Sequence, residues 1–330
     1  MPGKRKSMKV LVTGASGFIG SAVVPALLRA GHSVRCLLRP TSKTDRISGY
    51  SWESAMGDVC DADSVMHAME GCQAVIHLAC LSSWDQIDSP LLEAVVEGGT
   101  RNILRAAAAN ANARVVYVSS VLAVNASNQP HVFNEDAAWT IRATNLRYSL
   151  MKRRAEALCG EAAVKGLPVV VVNPGEVYGP RDTSFVTAGN LVDFARSNPV
   201  LVCKGGTGVV HVDDVAAGIV GALHKGRAGV RYILSGENLT IRALAELTLQ
   251  ILGRKSRILT LPNALIRAVA SAGLRLGIPL PFNPRVIPYA TQFWFVDSER
   301  ARHELGIRFR SAREALEPTL AWLVREAYIQ

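Results

Sequence analysis

The sequence predicts an α/β fold in which a doubly wound parallel sheet is covered by helices on both faces. Two observations predict it: apolar strand-length runs alternate with helix-length segments, and the first run passes through a glycine-rich turn into a helix. The remaining 175–208 and 236–330 are expected to form a smaller, mostly helical part that shapes a substrate pocket, with 8–174 plus roughly 209–235 forming the larger unit. Residues 1–7 read as a disordered basic tip.

The strand-like runs are Lys9 to Thr13, Ser33 to Leu38, Ala74 to Ala79, Arg114 to Ser119 and Pro168 to Asn173, with Arg231 to Leu234 later. Their Val and Ile content suits strands buried on both faces. Helices are expected over Phe18 to Ala30, Leu91 to Asn110, Arg147 to Lys165 and Asp213 to His224; Gly31 and Gly166 supply two of the stops. In such sheets ligands gather at the carboxyl ends of the strands, where every motif below falls.

Composition excludes several functions. The 330 residues, 49% apolar, can bury a large core without a staple. Six cysteines (36, 60, 72, 80, 159 and 203) show no paired or zinc-ligand spacing, so no metal is expected and the thiols read as reduced and cytoplasmic. The net charge is +10, but the Lys and Arg residues are spread along the chain and not massed in one tract, which argues for an anionic cofactor and a solvated surface, not nucleic acid. No apolar stretch is long enough to span a bilayer, leaving peripheral contact near Leu261 to Leu276 open.

Gly14, Gly17 and Gly20 follow a strand and open a helix, the context in which a glycine fingerprint binds a dinucleotide. Backbone N–H groups and the helix dipole meet the pyrophosphate, and Ser16, Phe18 and Ile19 belong to the same turn. The second strand ends Leu37-Leu38-Arg39-Pro40-Thr41-Ser42-Lys43, with no carboxylate for the ribose hydroxyls. Arg39 can pair instead with a 2′-phosphate, so NADP(H) is favoured and NAD(H) is the alternative.

Tyr148 and Lys152 stand four apart on a predicted helix and share a face. A free tyrosine titrates near about 10, so a nearby cation is what allows it to exchange a proton at neutral pH.

These motifs, with Gly57-Asp58-Val59, His77-Leu78-Ala79, Val118-Ser119-Ser120, Asn173-Pro174-Gly175-Glu176-Val177-Tyr178-Gly179-Pro180, His211-Val212-Asp213-Asp214-Val215-Ala216 and Val296-Asp297-Ser298, resemble the extended short-chain dehydrogenase/reductase family of the NAD-dependent epimerase/dehydratase superfamily. The match runs over most of the chain and is closest to the branch of dihydroflavonol reductases, 3β-hydroxysteroid dehydrogenases and hopanoid-associated sugar epimerases. The resemblance implies a Rossmann fold, with Tyr148 as general acid/base, Lys152 lowering its pKa and Ser120 holding the substrate oxygen, Ser119 being the rival. It also implies that Asp58 holds the adenine amino group and that Val59, Leu78, Ala79, Ser119, Asn173, Pro174 and Val177 line the cofactor. Where relatives often carry Asn before Gly99-Thr100-Arg101-Asn102, this chain has Val96, which removes the basis for a water relay or helix kink through that side chain.

Sugar-nucleotide enzymes of the family usually place an Arg at the position of Thr207; its absence weakens a diphosphate grip. Trp84, Phe185, Leu280, Phe282, Ile287, Tyr289, Phe293 and Trp294 fall in family substrate regions and suit an apolar ketone or alcohol, or else pack as core. Trp84, Ser120, Glu176, Phe185 and Tyr289 are the expected substrate contacts. The leading expectation is an NADP(H)-dependent oxidoreductase acting on a hydrophobic carbonyl or alcohol; the alternatives are a nucleotide-sugar epimerase/dehydratase and a non-catalytic dinucleotide sensor. A homodimer through the helices at 91–110 and 147–165 is expected from the same resemblance. If Arg39 reads the 2′-phosphate, titration will show tighter binding of NADPH than NADH, and Arg39→Ala will weaken NADPH selectively; a clear NADH preference refutes the role.

Overall fold

The computed structural model describes residues 7–81, 83–142, 145–280 and 282–330. Residues 1–6 of the expected basic tip lie outside the described residues. Fourteen strands are described: β1 Lys9–Thr13, β2 Ser33–Leu38, β3 Glu53–Met56, β4 Ala74–His77, β5 Arg114–Val118, β6 Val132–Phe133, β7 Val169–Pro174, β8 Glu176–Tyr178, β9 Val200–Val202, β10 Gly206–His211, β11 Arg231–Leu234, β12 Asn238–Thr240, β13 Ile258–Thr260 and β14 Phe293–Val296. Helices are α1 Phe18–Arg29, α2 Ala62–Met69, α3 Leu91–Glu93, α4 Gly99–Ala109, α5 Arg147–Val164, α6 Ala188–Arg196, α7 Val212–Lys225, α8 Ile241–Ile251, α9 Asn263–Leu276, α10 Ile287–Ala290 and α11 Ala312–Arg325.

Seven strands form one sheet in the order β11-β7-β5-β4-β1-β2-β3, and its neighbouring pairs are all parallel. Alternation along each strand divides the apolar side chains between two cores. Val10, Val12, Cys36, Ile76 and Val172 face α1 and α7, while Leu11, Val75, Tyr117 and Val169 face α2, α4 and α5. Burying each Val or Leu is worth roughly 1.5–3 kcal/mol, so both faces must stay covered. The order reverses between β1 and β4, opening a crevice at their carboxyl ends.

Two differences from the sequence reading have local causes. β3 is missing from the predicted strands because this edge strand is largely exposed and carries Glu53 and Ser54, not an apolar run. The second half is less helical than expected: β12, β10, β14 and β6, with β8 against β10, make a five-stranded sheet, and β13 pairs with β9. Strands of two to six residues between loops leave little periodicity to read.

The predicted helix 91–110 is interrupted by a π turn over Ala94–Gly98. Val96 is buried in this turn, and its carbonyl accepts the Thr100 hydroxyl at 2.5 Å. The widened turn thus exists without the asparagine that relatives often carry.

That hydroxyl belongs to a buried chain. His77 Nε2 lies 3.2 Å from Thr100 Oγ1 and Nδ1 lies 2.7 Å from Thr13 Oγ1. Because Thr100 donates to Val96, its oxygen must accept from Nε2–H; Nδ1 then accepts from Thr13, whose oxygen accepts from the N–H groups of Leu78 and Ala79 at 3.2 Å. The network assigns a neutral imidazole. Burial, followed by the charge of Lys152, pushes the His77 pKa down from 6.5 to about 3. A histidine whose folded value lies below its unfolded one contributes stability that is complete above the unfolded pKa and is lost as pH falls toward the folded one. Between about pH 7 and about pH 5 the wild type should therefore lose about 2 kcal/mol more stability in urea unfolding than His77→Asn; parallel losses would refute the assignment.

Candidate active site

The turn after β1 is shaped first by the protein's own backbone. Gly14 has φ +69, and a Cβ there would stand 2.9 Å from Ala79 N and Leu78 C. A Cβ on Gly20 would lie 2.1 Å from Gly14 O. These two glycines allow the turn, the end of β4 and α1 to close on one another. Gly17 differs: a Cβ there would meet Gly14 O at 3.2 Å and no other atom within 4 Å outside its chain neighbours and own helix backbone. It leaves an open face before the first turn of α1, which has no side-chain cap and no acidic residue. The first-turn N–H groups lack intrahelical acceptors, so this cradle fits a phosphate. Ser16 borders it half-buried, and Phe18 and Ile19 turn their side chains toward the core between α1 and the sheet.

Arg39 is exposed at the end of β2, its loop closed by Ser42 Oγ on its backbone N–H at 3.0 Å. Arg46, overlooked in the sequence, comes closer to the glycine turn: it donates to Ser16 O at 3.4 Å and to the Thr183 hydroxyl. Burial lowers its pKa, with Asp182 opposing and Arg181 reinforcing. Its sequence signal was only a second Arg beyond Arg39 in a polar loop. Asp58 accepts from Cys60 N at 2.9 Å, and Val59 is buried under α4, where Asn102 donates to its carbonyl at 2.9 Å.

On α5, Lys152 is buried, donates to Val118 O at 2.9 Å, and lies 5.2 Å from the centre of the Tyr117 ring and 5.9 Å from that of Tyr148. The structure therefore joins Tyr148 and Lys152 to the end of β5. The expected lowering of the Tyr148 pKa involves Lys152 together with the cofactor; in the protein alone other influences dominate. Burial first, then the Cys80 thiol and the Tyr289 hydroxyl, hold the phenol well above its ordinary value, so it is protonated. The ammonium group stands over the ring face and is engaged by a carbonyl.

The two serines are separated by burial. Ser119 Oγ is buried without a hydrogen-bond partner among the described residues, whereas half-exposed Ser120 accepts from Leu122 N at 3.2 Å. Asn173 departs from its expected role: it is fully buried, and its amide donates to Ser120 O at 2.8 Å and Glu156 Oε1 at 2.6 Å. It braces the serine's loop from inside. Pro174 ends β7, while Val177 packs into the core with its side chain.

The expected substrate residues divide. Trp84 and Tyr289 pack together, ring centres 5.3 Å apart, and the Tyr289 hydroxyl accepts the backbone N–H of Tyr148 at 3.1 Å. They form an apolar box with Leu146 and Trp294 beside Tyr148. Phe185 turns away, with its ring on Tyr328 at 4.8 Å. Phe293 and Trp294, on β14 within the five-stranded sheet, and Ile287, on α10, are buried core residues. Glu176 accepts from Tyr178 Oη at 2.7 Å and Asn190 Nδ2 at 2.8 Å; burial raises its pKa against these donors and Thr207. A cavity of about 840 Å³ includes Tyr289 and Arg147 in its lining but not Ser120, Tyr148 or Lys152. No cluster of metal-ligating side chains occurs among the described residues.

Comparison with known proteins agrees with this geometry. Residues 10–235 match the NAD dependent epimerase/dehydratase family. The chain is 30% identical to a "Putative dihydroflavonol 4-reductase" of Synechocystis sp., across 97% of this chain and 95% of that one. It is 32% identical to "Sterol demethylase protein B" of Methylococcus capsulatus, across 96% and 98%. The crystal structure of gox2253 superposes with a TM-score of 0.83 at 32% identity, covering 98% of this chain and 100% of that one. The glycine cradle, the Tyr148–Lys152 pair and these matches place the chain in the NAD dependent epimerase/dehydratase family, as an NAD(P)-dependent oxidoreductase of the extended short-chain dehydrogenase type.

Proposed function

We propose that this enzyme is an NADP(H)-dependent reductase of an apolar carbonyl compound, working reversibly on the corresponding alcohol. The observation that carries the reading is the placement of Tyr148 on α5, with Lys152 Nζ 5.9 Å from its ring centre and the box of Trp84 and Tyr289 beside it. Bound NADP(H) supplies the hydride. Tyr148 donates its proton to the substrate oxygen in reduction and recovers one in oxidation. Ser120 donates a hydrogen bond to the same oxygen, and Lys152 holds the nicotinamide ribose and adds positive charge beneath the phenol.

Arg39, exposed at the end of β2, and Arg46, which reaches the glycine turn through Ser16 O, support the 2′-phosphate reading. The Synechocystis relative's name is that of a reductase, and the Methylococcus relative's name concerns a sterol, in keeping with an apolar substrate. Segments 175–208 and 236–330 supply the substrate side of the pocket together with Trp84 and Leu146.

A panel of apolar ketones screened by NADPH oxidation tests the reading. With the substrate so found, Tyr148→Phe should lower turnover by roughly a hundred- to ten-thousandfold while leaving NADPH binding intact. Unchanged turnover would refute the acid role. Chemistry on a nucleotide sugar without net NADPH consumption would replace the reductase by an epimerase or dehydratase.

A further inference from the structure

Helix α9 presents three faces. Ile266, Ala270 and Gly273 are buried, and the first two pack with Cys203 and Ile287. The next stripe, Leu265, Val269, Ala272 and Leu276, follows i, i+4, i+7 and i+11 and is exposed along its whole length, Leu276 to 70%. Ile278 continues it beyond Gly277. Leu201 and Leu259, register partners in the β9–β13 ladder that leads into the helix, are exposed as well. Isolated exposed leucines need no explanation, but a stripe the length of a helix does.

The charge around it identifies what covers it. From Leu247 to Val296 the sequence has no Asp or Glu, yet it carries Arg254, Lys255, Arg257, Arg267, Arg275 and Arg285. This acid-free stretch therefore contributes six of the chain's net ten positive charges. Arg254, Arg267 and Arg285 are tied to neighbouring protein groups, whereas Lys255, Arg257 and Arg275 are exposed. A second copy of the chain, meeting this face through a two-fold axis, would oppose like charges. An anionic surface with an apolar interior satisfies both the stripe and its basic flank.

We propose that α9 and the adjoining β9–β13 ladder dock the protein onto the anionic headgroup surface of a lipid bilayer, with Leu265, Val269 and Leu276 entering the acyl boundary. No helix among the described residues is long and apolar enough to cross a membrane, so the contact is peripheral. The same helix supplies Arg267, Ala270, Ser271 and Leu274 to the cavity that reaches Tyr289. Resting on the apolar-carbonyl reading above, this places the lipid face beside a route for a lipid-soluble substrate.

The test is sedimentation of the full chain with vesicles of phosphatidylcholine alone or mixed with phosphatidylglycerol. The protein should sediment with the mixed vesicles, release as salt rises, and bind neutral vesicles weakly. Val269→Glu with Leu276→Glu should weaken binding about tenfold or more, as should Lys255→Glu with Arg275→Glu, while NADPH titration reports an intact fold. Failure of the wild type to bind mixed vesicles overturns the proposal whether or not NADPH turnover is found. Light scattering that shows a dimer made monomeric by the apolar pair, without vesicle binding, would assign the stripe to a second copy and overturn it too. Vesicle binding without ketone reduction would leave the docking face standing and remove only the substrate reading.

Discussion

The close approach of Gly14 to the carboxyl end of β4 is the constraint on which the site depends. Its backbone passes so near Leu78 and Ala79 that a methyl group would stand 2.9 Å from their main chain. The Thr13 hydroxyl fixes the same two residues from the other side by accepting both their N–H groups. The turn, the start of α1 and the loop after β4 therefore form one rigid unit. A cofactor cradle made of backbone requires that rigidity, because backbone donors act only where they are aimed.

The unit extends into the catalytic region through a buried histidine. Thr13 donates to His77, which donates to Thr100, which donates to the carbonyl of Val96 in the π turn. A neutral imidazole suits this chain because it has one donor and one acceptor, and an added proton would be buried near Lys152. The lysine in turn is anchored on Val118 O, next to Ser119 and Ser120. Asn173 braces the Ser120 loop from β7. Three neighbouring strand ends are thus tied to α4 and α5 by polar groups that are buried and mostly satisfied, and such groups are expensive to leave unpaired.

The surroundings of Tyr148 combine an apolar wall with the Lys152 ammonium. Burial and two weakly acidic neighbours, Cys80 and Tyr289, keep its proton in place. The Lys152 ammonium lies 5.9 Å from the centre of the Tyr148 ring. The apolar wall is built from Trp84 and Tyr289, and the carboxyl of Glu176 is held by Tyr178 on the same strand, β8, and by Asn190 on α6.

The sequence by itself determined the parallel sheet, the glycine turn and the Tyr148–Lys152 pair, because each is written in local spacing: period two along a strand, three glycines in a turn, four residues along a helix. It also gave the missing carboxylate after β2. Tertiary structure decided what spacing cannot express. Arg46 reaches the glycine turn only when its loop folds over; Ser119 and Ser120 differ only in which way the strand end points them; Asn173 becomes a brace because β7 lies beside β5; and the Phe185 ring finds Tyr328. The exposed side of α9 was equally hidden, since an apolar helix gives no sign in sequence of which apolar stripe its own protein covers.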